Sequence, residues 1–87
     1  MASVTIYTRP FCGYCARALA LLQKKGVDYT EVDDASTNPE KNKEMRERSG
    51  GRSTYPQIFI GDRHIGGCDD MMALEYEGKL DPLLEGA

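Results

Sequence analysis

The feature that most restricts the fold of this chain is a change of apolar period, because two cysteines straddle it. Val4-Thr5-Ile6-Tyr7 is a short β-prone run. After Thr8-Arg9-Pro10-Phe11 the apolar positions become Cys15, Ala18, Leu19 and Leu22, the i, i+3, i+4, i+7 spacing of an amphipathic helix. Gly26 is well placed to end that helix, and Asp28 to Val32 reads as a second strand. The first third is therefore a β-α-β unit whose strands, joined by one helix, are expected to be parallel. Cys12-Gly13-Tyr14-Cys15 falls where the first strand hands over to the helix.

The remaining segments extend this pattern. Thr37-Asn38-Pro39-Glu40 announces a second helix, with Thr37 and Glu40 at capping-box spacing and Pro39 near its first position. It is expected to run to about Ser49 and stop at Gly50-Gly51. It is polar nearly all round, with Met45 the one clear apolar anchor, which predicts a lightly attached surface element. Pro56 precedes a third strand, Gln57 to Ile60, and Gly61-Asp62 suits a two-residue turn into Arg63-His64-Ile65. A last helix is expected from about Asp69 to Glu77, with Met71, Leu74 and Tyr76 available for packing. Leu80, Leu83 and Leu84 would close the tail over the core. The order is β-α-β-α-β-β-α: an α/β fold, a small mixed sheet flanked by helices.

Eighty-seven residues, 1–87, are read as a single domain, since nothing is left to build a second core. A domain this small buries only about two-thirds of its unfolded surface, and such domains often recruit disulfides or a metal. There are three cysteines, and the first two lie too close together for a bridge to constrain much of the unfolded chain. Their placement points to chemistry rather than stapling. The formal net charge is −3 with both signs dispersed, unlike the basic stripe of a nucleic-acid binder. No run approaches the length of a membrane span, and Met1 to Thr8 lacks the regions of a signal peptide. The expectation is a cytoplasmic protein, with no membrane or nucleic-acid partner, in a reducing compartment where a free Cys-x-x-Cys can cycle. A mature chain with its targeting segment removed would read the same.

A Cys-x-x-Cys that opens a helix inside a β-α-β unit is the arrangement of thioredoxin-like redox proteins. The first turn of a helix carries unpaired N–H groups and the positive end of the macrodipole, and both favour a thiolate at Cys12. Arg9, three residues earlier, adds to the effect. The thiolate is the attacking species in disulfide exchange. Cys15, one turn deeper, should be the less exposed and less ionised sulfur, so Cys12 attacks and Cys15 resolves. Two plainer readings compete: a pair of core cysteines, and a zinc site formed by Cys12, Cys15, Cys68 and His64. The strand–helix context weighs against the first, and the mixed His64-x-x-x-Cys68 half-site against the second.

Tyr7-Thr8-Arg9, Cys12-Gly13-Tyr14-Cys15, Thr54-Tyr55-Pro56-Gln57-Ile58-Phe59 and Gly66-Gly67-Cys68-Asp69-Asp70 occur here in one order and at one separation. With these segments the chain resembles the glutaredoxins, in particular the small dithiol glutaredoxins of bacteria, over nearly its whole length. The resemblance implies a thioredoxin-like fold, with a four-stranded mixed sheet flanked by three helices. It implies that Pro56 is a cis-proline beside Cys12, turning the backbone of Tyr55 towards an extended tripeptide. It further implies a glutathione site, with Thr54, Tyr55 and Pro56 on one side and Gly67, Cys68 and Asp69 holding the γ-glutamyl end. Arg9 would lie near the glycyl carboxylate, and Tyr14 would cover the bound tripeptide. Local readings stand beside these: Pro56 as a strand-start proline, Asp69-Asp70 as helix caps, Tyr14 as packing, His64 as a solvated residue.

The implied function is reduction of protein–glutathione mixed disulfides and of protein disulfides, with Cys12 and Cys15 catalytic. Glutathione is the co-substrate, and no cofactor is tightly bound. The Gly-Tyr pair, the short chain and the lack of tryptophan before Cys12 disfavour a thioredoxin. Three positions depart from the family pattern. Gly13 stands where most dithiol relatives carry proline, which relaxes the helix start and predicts a shift in redox potential, of either sign, in a class that lies at about −200 to −230 mV. Tyr55 is bulkier than usual before the cis-proline. Ser53 replaces a basic residue of some relatives, with Arg52 a candidate substitute. Gly13 also opens an alternative: relatives lacking that proline can bridge a [2Fe-2S] cluster between two protomers through each first cysteine, here Cys12, and two glutathiones. The chain is expected to be a monomer, and a dimer only when such a cluster is bound.

Overall fold

The computed structural model describes residues 2–86. Four strands and four helices follow in the order β1 (Val4–Tyr7), α1 (Gly13–Lys25), β2 (Tyr29–Val32), α2 (Pro39–Arg48), β3 (Gln57–Ile60), β4 (Arg63–Gly66), α3 (Cys68–Tyr76) and α4 (Leu80–Leu84). The strands form one mixed sheet in the order β2-β1-β3-β4, with β1 and β2 parallel and the other two pairings antiparallel. This is the thioredoxin-like architecture expected from the sequence, with one helix more.

Strand alternation divides the apolar side chains between two faces. Val4 and Ile6 of β1, with Ile58 and Ile60 of β3, form one core with Ala18 and Leu22 of α1 and Met71 of α3. Tyr7 and Phe59, the alternate residues of the same strands, form a second cluster with Ala35 and with Met45 of α2. Lys25, in the last turn of α1, reaches Glu75 of α3 at 2.7 Å and Asp81 of α4 at 2.8 Å, which ties three helix ends together.

Helix ends largely follow local chemistry. Gly26 closes α1 in the left-handed region, at φ 71°, where a Cβ would be unfavourable. The cap of α2 is Asn38 rather than Thr37. The Asn38 side chain accepts from the N–H groups of Glu40 and Lys41, while Thr37 donates its hydroxyl to the Asp34 carbonyl. The extra helix, α4, forms from the tail that the sequence reading left as a packed extension. Pro82 sits within its first turn, where a missing N–H costs nothing, and Leu80 and Leu84 are buried.

Two further expectations change, for Tyr76 and His64, and that for α2 holds. Tyr76 is 90 % exposed and packs against nothing in the core. At about 100° per residue it lies roughly 140° round the helix from the buried Met71. Helix α2 has Met45 as its sole buried residue, as expected. Its added ties to the sheet are those of Arg48, whose guanidinium lies 4.3 Å from the centre of the Phe59 ring and donates to the Tyr7 hydroxyl at 3.1 Å. His64 is a half-buried structural residue rather than a solvated one. Its ring lies against Phe59 at 5.0 Å, and its Nε2 is 2.7 Å from Oε1 of the buried Gln57.

Candidate functional site

Residue 12 follows the Pro10-Phe11 turn after β1 and caps α1. Cys12 has a backbone in the extended region, and its sulfur accepts the N–H of Cys15 at 3.2 Å. A side-chain acceptor at this position satisfies a backbone donor of the first turn, and that contact grows stronger when the acceptor is charged. The same sulfur lies 4.0 Å from the carbonyl oxygen of Tyr55, across the active-site end of the sheet. Cys12 is partly exposed, whereas Cys15 and Cys68 are buried, and all three are free thiols.

Burial pushes the Cys15 thiol up to about 11, aided by its hydrogen bond to the Cys12 sulfur and by that sulfur's charge, against the lowering influence of Arg9. Burial likewise raises Cys68, with Asp69 and Cys12 adding to the effect and Arg17 opposing it. The two buried cysteines therefore hold their protons at neutral pH, which leaves Cys12 as the accessible sulfur for exchange.

Beside Cys12 lies an open cleft of about 140 Å³ lined by Tyr14, Arg52, Thr54, Tyr55, Pro56, Gly67, Cys68, Asp69 and Asp70. One wall is the segment entering β3, where the Tyr55–Pro56 peptide bond is cis. The other is the start of α3. Here Asp70 turns its carboxylate back to accept the N–H of Gly67 at 2.9 Å, with Arg52 3.8 Å away. Gly66 is essential to this corner: it has φ 118°, and a Cβ placed on it would overlap the Asp70 carboxylate.

Gln57, fully buried, supports the first wall from behind. Its side-chain NH₂ donates to both the carbonyl and the hydroxyl of Thr54 at 3.0 Å. Thr54 offers no donor through its carbonyl, which fixes the amide orientation and makes His64 the donor to Gln57 Oε1. Burial lowers the pKa of His64, the Arg52 charge acts in the same direction and Asp70 opposes both, so the neutral ring is favoured.

Seven of the sequence-derived glutathione candidates, Tyr14, Thr54, Tyr55, Pro56, Gly67, Cys68 and Asp69, line this one cleft. Arg9 does not: it is exposed, and its guanidinium donates to the Pro10 carbonyl at 3.3 Å. Arg52 is the cation of the cleft, and Asp70, read from sequence only as a cap, lines it too. The signal for Asp70 was its position three residues after Gly67; that for Gln57 was its place directly after Pro56. Among the described residues no group of three or more His, Cys, Asp or Glu could hold a metal ion, so the four zinc candidates do not converge. No helix among them is long and apolar enough to cross a membrane.

A mixed sheet of this order, with a Cys-x-x-Cys capping its first helix and a cis-proline facing it, defines the thioredoxin-like class. Residues 4–65 match the glutaredoxin family model. The chain is 55 % identical to glutaredoxin 3 of Escherichia coli over 98 % of its own length and 100 % of that protein's. Among solved structures it is similar to glutaredoxin of Brucella melitensis, at 64 % identity and a TM-score of 0.81, covering 97 % of this chain and 89 % of that one. It is also similar to a buckwheat glutaredoxin–glutathione complex, at 30 % identity and a TM-score of 0.84, covering 98 % and 78 %. The chain belongs to the glutaredoxin family, and a thiol-redox role goes with that membership.

Proposed function

We propose that the protein is a glutathione-dependent thiol–disulfide oxidoreductase of a reducing, cytoplasmic compartment, acting as a monomer on protein–glutathione mixed disulfides and on protein disulfides. The observation that carries this reading is the 4.0 Å approach of the Cys12 sulfur to the Tyr55 carbonyl, at the mouth of the cleft. An extended tripeptide paired with the backbone of Tyr55 would bring its own cysteine sulfur to Cys12. Arg52 and the N–H groups at the start of α3 supply what two carboxylates require, and the Asp69 carboxylate suits an ammonium group. The buckwheat relative was solved in complex with glutathione, which supports the same occupant here.

In the cycle, the Cys12 thiolate attacks the glutathionyl sulfur and the substrate's sulfur–sulfur bond breaks. The electron pair leaves on the protein thiolate, which takes a proton from water. A second glutathione thiolate then attacks the Cys12–glutathione disulfide, releasing oxidised glutathione and regenerating Cys12. When the substrate is a protein disulfide, Cys15 resolves the mixed intermediate and leaves a Cys12–Cys15 bridge. Two of the influences that raise Cys15 come from the Cys12 sulfur itself. Once that sulfur is committed to a mixed disulfide its charge is gone, so Cys15 becomes easier to ionise at the step that requires it.

The test compares one peptide carried as two mixed disulfides, one with glutathione and one with 2-mercaptoethanol. The glutathione adduct is expected to have a kcat/KM at least about tenfold higher, the effect of a single well-made charged contact. Arg52→Ala should narrow the gap. Equal rates for the two adducts in the unmodified protein would overturn glutathione as the recognised group.

A second reading, a [2Fe-2S] cluster bridging two protomers, draws on the helix start. A Cβ built on Gly13 would meet no atom within 4 Å, so the flank of Cys12 is uncrowded. With Cys15 and Cys68 buried, each protomer offers one partly exposed sulfur, Cys12, and two glutathione sulfurs would complete a set of four across a dimer. Anaerobic reconstitution with iron, sulfide and glutathione is expected to give a brown dimer that Gly13→Pro weakens. A colourless monomer would sink this reading and leave the reductase reading intact.

A further inference from the structure

Phe11 is the one non-glycine residue with positive φ among the described residues, at 56°. A bulky side chain in the left-handed region costs about 1 kcal/mol or more, which glycine would avoid. Such a cost is ordinarily offset by packing, yet Phe11 is 101 % exposed and its ring belongs to neither core cluster. Folding thus gains nothing from an aromatic ring at this position. Among the described residues three large apolar ones are exposed: Phe11, Tyr14 and Tyr76. Tyr14 lines the cleft, and Tyr76 is the last residue of α3. Phe11 alone is joined directly to the nucleophile while standing outside the cleft.

A mixed disulfide has two halves, and the function proposed above assigns the cleft to the glutathionyl one. The other half must meet the protein next to Cys12 but beyond the cleft lining, and this is where Phe11 presents an apolar ring to solvent. We propose that Phe11 is a specificity-determining docking residue for the polypeptide half of the substrate, packing on an apolar side chain that flanks the target cysteine. This deepens the reductase reading and rests on it. Cys12 still takes the glutathionyl sulfur, and the electron pair still departs on the polypeptide thiolate. Phe11 acts only on how that polypeptide is held during the exchange.

The test uses two glutathionylated peptides, identical except for leucine or serine on either side of the cysteine, and the glutathione–2-mercaptoethanol mixed disulfide. Phe11→Ala is expected to lower kcat/KM for the leucine-flanked peptide roughly tenfold, the worth of one buried aromatic ring. The serine-flanked peptide and the small disulfide should stay within about twofold, since neither offers an apolar surface to bury. Phe11→Leu should restore most of the loss. Phe11→Gly should share the kinetic defect while melting no lower than the unmodified protein, which separates docking from a structural role. An equal loss on all three substrates, or no loss on any, would overturn the proposal. If the unmodified protein fails to favour glutathione adducts over 2-mercaptoethanol adducts, the glutathione reading falls instead, and the leucine-to-serine ratio still decides the role of Phe11.

Discussion

Serine at position 12 is expected to abolish turnover of a glutathionylated peptide, by on the order of a thousandfold or more, because a hydroxyl stays protonated where a thiol ionises. The replacement is nearly isosteric, and serine is itself a good helix cap, so the Cys15 N–H should still find an acceptor and the fold should persist. Cys15→Ser is the informative partner. It removes a buried sulfur whose proton is held by its surroundings, and it should leave glutathione mixed-disulfide turnover within about threefold because that route does not pass through residue 15. Reduction of protein disulfides should be lost in the same variant. Release of glutathione from a peptide, and of thiols from an insulin-like disulfide, measures the two routes separately. Normal turnover by Cys12→Ser would contradict the nucleophile assignment, and loss of both routes in Cys15→Ser would contradict the division of labour.

The largest expected effect on stability is at Phe59. Its ring is buried between the Tyr7 ring, met edge-on at 5.6 Å, the His64 ring and the Arg48 guanidinium. Phe59→Ala should cost about 3–5 kcal/mol, from lost burial and the cavity left behind. A chain of this length has roughly 4–13 kcal/mol in total, so the variant is expected to be largely unfolded at modest denaturant. Phe59→Leu should lose much less, because it retains most of the volume. Urea unfolding measures both, and an alanine midpoint close to that of the unmodified protein would show that the second cluster contributes little. Cleft residues are unaltered in either variant, so the leucine protein should keep its specific activity.

The parts of this molecule that were legible in the sequence are those fixed by short-range patterns. The change of period at residues 8–15 sufficed to place β1, α1 and the cysteine pair, and the Gly61-Asp62 turn placed the β3–β4 hairpin. The cleft emerged from segments 40 residues apart through their likeness to a family, not through any local rule. What remained hidden depends on tertiary contact. Arg48 reads as one more charge on a solvated helix, and only the folded sheet brings Phe59 and Tyr7 beneath it. Asp70 and Arg52 enter the cleft because α3 and the loop before Thr54 converge there. Arg9 is the reverse case: the family likeness put it near a carboxylate of the ligand, and it is absent from the cleft lining.

The buried amide of Gln57 joins two regions that differ in burial. It holds Thr54 on one side and His64 of the edge strand β4 on the other. An edge strand is hydrogen-bonded on one side only, so any opening of the β3–β4 pair also breaks the Gln57–His64 contact. When β4 lifts, Gln57 loses its donor, and the wall of the cleft that Thr54 begins loses its support. The Thr54 wall is thereby tied to the outer hairpin as well as to the central pairing of β1 with β3. Three side chains from the cleft wall, the central strand and the edge strand, Thr54, Gln57 and His64, thus share one chain of hydrogen bonds.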